Sequence, residues 1–161
     1  MNQVHNFRLH AGAGRLTFST EALHLFESRV QKGWWRNESV GQLYVRNLMT
    51  DDVYVEVATL LPPMSANRTG VRFNPSHAFD ERDKFFREGL HCIGLWHTHP
   101  EPIPMPSVED ELLAADYACA AAKELLGIIF VIVGTKSFPH GLGVWVHDQS
   151  ALRKLKADIH V

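Results

Sequence analysis

The sequence predicts an α/β sandwich built on a mixed β-sheet. Two observations carry this expectation: strand-like apolar runs alternate with helix-period segments along the chain, and some of those runs alternate while others are apolar throughout. Fully apolar runs suit strands buried on both faces, as parallel strands are. Alternating runs joined by a short turn suit antiparallel hairpins.

Composition bounds the function classes. The 161 residues are 45% hydrophobic and 21% charged, the balance of one globular domain spanning 1–161. A net charge of -2 provides no bulk field toward nucleic acid or an anionic membrane, so neither is expected as a partner. The leader over 1–15 is polar, and no stretch approaches the ~20 apolar residues of a membrane span, which makes the cytoplasm the default location. Cys92 and Cys119 are too few for a disulfide framework and read as reduced, buried packing residues.

Residues 15–19 form a short alternating strand, and Ser19 or Thr20 caps a helix over 21–32 with Leu23, Phe26 and Val30 as its apolar stripe. Gly33 stops it. Residues 40–47 and 53–61 are β-branched, alternating runs around Thr50-Asp51-Asp52, the pattern of a hairpin, and Pro62-Pro63 ends the second. Residues 64–75 are rich in turn formers and are expected to be exposed. A helix over 76–88 follows, closed by Gly89.

Residues 91–96 are mostly apolar with Gly94 in the middle, which suits a central strand. Pro100, Pro102, Pro104 and Pro106 then forbid helix or central strand and leave a stiff, extended loop. Ser107 opens an Ala-rich helix reaching residue 126. Two more strands are expected over 128–133 and 141–146, and a short terminal helix over 149–158.

The chemistry-bearing string is His97-Thr98-His99-Pro100, then the proline loop, then Ser107-Val108-Glu109-Asp110. Histidines at i and i+2 on an extended segment project to one side, so both imidazoles reach the same ion. Asp110, in the first turn of the next helix, completes three protein ligands and leaves a fourth position for water, as in catalytic zinc sites. Plainer readings exist for the parts. Ser107-x-x-Asp110 is also a legitimate capping box, and a lone His-x-His at a strand end is often exposed or simply hydrogen-bonded.

Taken whole, the pattern resembles the JAMM motif of the JAB/MPN family of zinc metallopeptidases, and the resemblance extends from Glu38 to Trp145. It implies that family's three-layer α/β/α fold with a central mixed β-sheet, related to cytidine deaminases, and one Zn2+ per chain held by His97, His99 and Asp110. It also implies a glutamate ahead of an earlier strand in the sequence Glu-x-x-Gly, which Glu38-Ser39-Val40-Gly41 matches. Glu38 would then move the proton of the attacking water, and Ser107 would donate a hydrogen bond to the oxyanion. Val40 and Val45 depart from the family, standing where relatives often carry glycine.

Other carboxylates have weaker claims, since Glu56 reads as a solvent-facing strand position and Glu88 belongs to a helix end. His5, His10, His24, His77, His91, His140, His147 and His160 lack ligand spacing and read as surface or satisfied residues. Trp34-Trp35 is open to two readings, an aromatic patch for substrate or core packing of at least one, with packing preferred.

Relatives of this kind remove ubiquitin-like proteins from lysine side chains or trim a ubiquitin-like precursor, and a short chain is similar to the prokaryotic JAB branch. Val57-Ala58-Thr59-Leu60-Leu61-Pro62-Pro63 and Arg68-Thr69-Gly70-Val71-Arg72-Phe73 resemble members from bacterial antiviral operons. The implied substrates are a ubiquitin-like protein or a nucleotidyltransferase joined to targets through its C-terminus, with E1-like and E2-like proteins as further partners. Processing of sulfur-carrier proteins is an alternative. A non-catalytic MPN-type scaffold is the rival from another class, and such scaffolds have usually lost the ligands this chain retains. A zinc nucleobase deaminase needs Pro-Cys-x-x-Cys, which Cys92 and Cys119 do not supply.

Overall fold

The structure is a computed structural model and describes residues 6–8 and 14–158. Most of the polar leader, with His5 and His10, lies outside the described residues, as does His160. The chain runs through β1 (Asn6–Arg8), β2 (Arg15–Phe18), α1 (Thr20–Arg29), β3 (Val40–Val45), β4 (Val53–Val55), β5 (Val57–Ala58), β6 (Pro63–Asn67) and β7 (Gly70–Phe73). It continues through α2 (Pro75–Arg87), β8 (His91–Thr98), α3 (Val108–Ala120), β9 (Ile128–Val133), β10 (Leu142–His147), β11 (Leu152–Lys154) and β12 (Lys156–Asp158).

A six-stranded sheet in the order β11-β10-β9-β8-β3-β5 forms the centre. β8 and β9 run parallel and every other pairing is antiparallel, so the sheet is mixed. On one face α3 packs over Leu95, Phe130 and Ile132, with Ala114 and Ala118 allowing close approach, while α2 covers Val40 through Ala78. On the other face α1 presents Phe26 to Trp96, with ring centroids 5.0 Å apart. The fold is thus the α/β architecture expected, with helices on both faces.

One outer layer holds more than a helix. β12, β1, β2 and β4 make a second sheet whose Phe7, Leu16 and Phe18 join Phe26 and Trp96 in the larger core. Sequence reading misses this sheet because its strands come from both ends of the chain and from the middle. The run over 53–61 splits between two sheets: β4 pairs in parallel with β2, whereas β5 pairs with β3, and only that part is a hairpin partner.

The expected terminal helix over 149–158 is instead the strands β11 and β12. Leu152 packs with the α3 core and Leu155 with the α1 core, a divergence that an i, i+3 pair on a helix cannot make and an extended chain crossing between sheets can. The turn-rich, largely exposed stretch over 64–75 contains the β6–β7 hairpin, which the sequence reading did not assign, its turn closed by Thr69 N donating to Asn67 Oδ1 at 2.9 Å. α3 stops at Ala120, six residues short of the expected end. Cys119 is exposed and Cys92 half-buried, so neither is the fully buried packing residue anticipated.

Two glycines set the spacing of the central strands. A Cβ on Gly41 would meet the Thr59 carbonyl oxygen at 1.7 Å, and one on Gly94 would meet the Ile129 oxygen at 1.7 Å. Gly94 has φ 156° and follows Ile93, the extra residue of a bulge where Leu43 faces Gly94 and Tyr44 faces Cys92. The bulge returns Ile93 and Trp96 to the same face and leaves Leu95 on the α3 face. No helix among the described residues is long and apolar enough to cross a membrane.

Candidate metal centre

The end of β8 sits between two strands that fix it on both sides. His97 is in register with Val40 of β3 and with Ile132 of β9. Thr98 N donates to Ser39 O at 3.0 Å, Ser39 N donates to Thr98 Oγ1 at 2.9 Å, and His99 N donates to Val133 O at 2.9 Å. The backbone immediately after Glu38 is therefore locked to the backbone bearing the histidines. Glu38 N also donates to Asn67 O at 2.8 Å, which ties the glutamate to the β6–β7 hairpin.

On this frame His97, His99 and Asp110 converge. The two Nε2 atoms stand 2.9 Å apart, His97 Nε2 is 3.1 Å from Asp110 Oδ1, and His99 Nε2 is 3.2 Å from Asp110 Oδ2. One ligand atom from each residue lies within 4.8 Å of the others, so the three can hold one ion. Tetrahedral zinc with ligand bonds of about 2.0–2.2 Å requires ligand atoms roughly 3.3 Å apart, close to these separations. The donor set, two imidazoles and a carboxylate, is one that zinc accepts.

The electrostatics agree. Burial pushes the His97 pKa down, favouring the neutral imidazole that can act as a ligand. Burial acts on His99 in the same sense, but the hydrogen bond to Asp110 and the charges of Asp110, Glu38 and Glu101 outweigh it and raise the pKa. For Asp110 burial also opposes the charge, yet hydrogen bonds from both histidines hold its carboxyl well below the ordinary range. Two histidines thus sit among three carboxylates, a surplus of negative charge that a divalent cation would offset.

Glu38 is buried, with Oε1 3.9 Å from His99 Nε2. Burial above all, with Asp110 and Glu101 adding to it and His99 opposing, pushes its carboxyl up to about 7. That range suits a group that takes up and returns a proton near neutral pH. Ser107 is the N-cap of α3: its Oγ accepts from Asp110 N at 3.2 Å, while Ser107 N donates to Asp110 Oδ2 at 2.7 Å. The capping box foreseen in the sequence is present, on the same carboxylate that faces the histidines.

Glu101 was not singled out in the sequence; it stands two residues after His99, at the start of the proline loop, where the chain bends. Among the described residues His99 Nδ1 is buried without a hydrogen-bond partner, and Glu101 Oε2 lies 3.7 Å from it. The proline loop holds Glu101 in place, since Thr135 N donates to its carbonyl at 2.8 Å and Lys136 N donates to Pro102 O at 3.1 Å. A Cβ on Gly134 would meet the Glu101 carbonyl at 2.7 Å, so the loop rests directly on backbone.

Trp34 and Trp35 do not pack in the core. They are 80% and 69% exposed and meet edge to face, with centroids 6.1 Å apart. Glu56 pairs with Arg46 at 3.1 Å on the surface, and Glu88 is the C-cap of α2, so neither approaches the centre.

A family model described as prokaryotic homologs of the JAB domain matches residues 25–146. The chain belongs to this family. The matched span carries Glu38, His97, His99, Ser107 and Asp110, and runs from within α1 to the penultimate residue of β10. Among solved structures, this JAB domain is similar to the solution structure of a Desulfitobacterium hafniense protein, with TM-score 0.63 and 18% identity over 86% of this chain and 88% of that one. A JAB1/MPN domain protein from Archaeoglobus fulgidus matches with TM-score 0.43 and 15% identity over 86% of this chain and 96% of that one. No curated protein matches the sequence.

Proposed function

We propose that this JAB domain is a zinc-dependent peptidase that hydrolyses the amide bond after the C-terminus of a ubiquitin-like protein, or of a nucleotidyltransferase, joined to a target lysine. The observation that carries the reading is the convergence of His97, His99 and Asp110 with Glu38 beside them, 3.9 Å from His99. A zinc ion held by the three ligands supplies Lewis acidity and lowers the pKa of water to about 7.

The chain's own residues divide the rest. Glu38 takes the proton of the attacking water as its oxygen adds to the carbonyl carbon, then delivers that proton to the departing amine as the C–N bond breaks. The Ser107 hydroxyl, whose oxygen already accepts from Asp110 N, keeps its hydrogen free to donate to the carbonyl oxygen as charge builds there. Glu101, whose Oε2 lies 3.7 Å from His99 Nδ1, places negative charge on the side of the ring away from the centre and so favours the orientation that presents Nε2 to it. E1-like and E2-like proteins are the proposed partners that make the bond this chain opens.

Metal analysis of protein prepared without chelator tests the reading. One zinc per chain is expected in the wild type, with zinc and cleavage of a lysine-linked conjugate lost together in His97→Ala and His99→Ala. Wild-type protein free of zinc, or conjugate cleavage undiminished in His97→Ala, overturns it.

A further inference from the structure

A groove of about 470 Å³ opens beside the centre, and Glu38 is part of its lining. Leu60, Leu61, Pro63 and Val71 give it aliphatic walls, and exposed Trp35 stands at its rim. Arg29 and Arg36 are the cations among its lining residues, and Glu38 the carboxylate. The candidate base and both arginines thus share one groove.

These cations are local and uncompensated. Neither Arg29 nor Arg36 pairs with a carboxylate among the described residues, in a chain whose net charge is -2. Arg36 uses one N–H on the Ser28 carbonyl at 3.0 Å, and Arg29 ends α1, where a cation also complements the helix dipole. A third arginine is drawn to the same edge. Gln31, fully buried, donates from Nε2 to Arg36 O at 3.0 Å and to Arg68 O at 2.9 Å, while Arg68 Nη1 donates to Gly33 O at 3.1 Å. The Gln31 side chain therefore holds the Arg36 and Arg68 segments together, and Arg36 of that pair lines the groove.

Aliphatic walls take up apolar side chains and backbone, guanidinium groups take up carboxylates, and the Glu38 carboxylate repels a ligand that is anionic throughout. An extended peptide that mixes apolar and acidic side chains satisfies all three conditions. A nucleic acid, with a charge at every residue and no aliphatic side chains, satisfies one. We propose that Arg29 and Arg36 select substrate tails with carboxylate side chains within a few residues of the bond delivered to Glu38. The delivery to a scissile bond rests on the peptidase reading above; the acidic preference of the groove does not.

Three fluorescently labelled peptides that differ at one position, Glu, Gln or Lys between leucines and ahead of two glycines, test the proposal. Their binding to chelator-treated protein is read by anisotropy. Turnover of the same sequences in quenched form is read with zinc present. Because the contacts are solvent-exposed, the Glu peptide should bind ~10-fold more tightly than the Lys peptide near 0.05 M salt, and the gap should close near ~0.5 M. The difference should appear in KM and leave kcat alone. Arg29→Gln/Arg36→Gln should erase the preference and Arg29→Glu/Arg36→Glu should reverse it, both with melting curves close to wild type. Equal binding of the three peptides, or a preference that survives Arg29→Gln/Arg36→Gln, overturns the proposal. So does a short single-stranded oligonucleotide that outcompetes the Glu peptide. An acidic preference in binding without any turnover sinks the peptidase reading and leaves the groove assignment standing.

Discussion

Ser107 and Asp110 cap each other across the first turn of α3, and the oxygen that closes this box, Asp110 Oδ2, is also 3.2 Å from His99 Nε2. Helix start and candidate metal centre share one carboxylate. Ser107→Ala should cost about 1 kcal/mol of stability through the lost cap. As an oxyanion donor its loss should also lower kcat by ~10²-fold or more with KM nearly unchanged. Ser107→Asp keeps a cap but loses the donor, so it separates the two roles. Zinc retention with severe slowing is expected for both variants, and wild-type turnover by Ser107→Asp would reduce this residue to a cap.

Glu38→Ala should keep both metal and fold, because the carboxylate stands beside the ligand set without belonging to it. Turnover should fall by ~10²–10⁴-fold, the usual contribution of a positioned proton-transfer group. Metal analysis and conjugate cleavage on the same preparation give the answer. An active Glu38→Ala would leave the reaction without its base.

Glu101 Oε2 faces the buried His99 Nδ1 from 3.7 Å. Removing such a partner typically weakens metal binding by ~10–100-fold, so Glu101→Ala should lose zinc to a competing chelator well before the wild type does. Glu101→Gln keeps an acceptor without the charge and should fall between them. Identical zinc affinities in all three proteins would assign His99 no help from this loop.

The two thiols should differ in reactivity. Burial pushes the Cys92 thiol up to about 11, so it is protonated at pH 8, whereas Cys119 is exposed on α3. A disulfide reagent at pH 8 should label one thiol per native chain and the second only after denaturation. Fast labelling of both in the native chain would mean that burial does not hold the Cys92 thiol protonated.

What could be read in advance follows the range of the forces involved. His97, Thr98, His99 and the capping box are local patterns, and a motif of that length fixes spacing without knowing the fold. The strand over 128–133 was equally legible, since six apolar residues buried on both faces need no partner to declare themselves. The second sheet was not, because β1, β2, β4 and β12 are each three or four residues long and are strands only by virtue of each other. Leu152 and Leu155 look like a helical pair until the two cores they enter are known. Trp34 and Trp35 failed for the opposite reason: large aromatic residues usually bury, and these two do not.

The position of β8 also bears on when the centre comes into being. Glu38, His97, His99, Ser107 and Asp110 all precede β9, yet β9 provides the parallel neighbour of β8 and the Val133 carbonyl that fixes His99. A chain growing from its N-terminus holds every group of the centre while β8 is still an open edge. Residue 133 completes that second ladder and brings the carbonyl to which His99 N donates. In that order of synthesis the last part of the site to arrive is scaffold, and an interrupted chain carries the candidate ligands without the strand that fixes them.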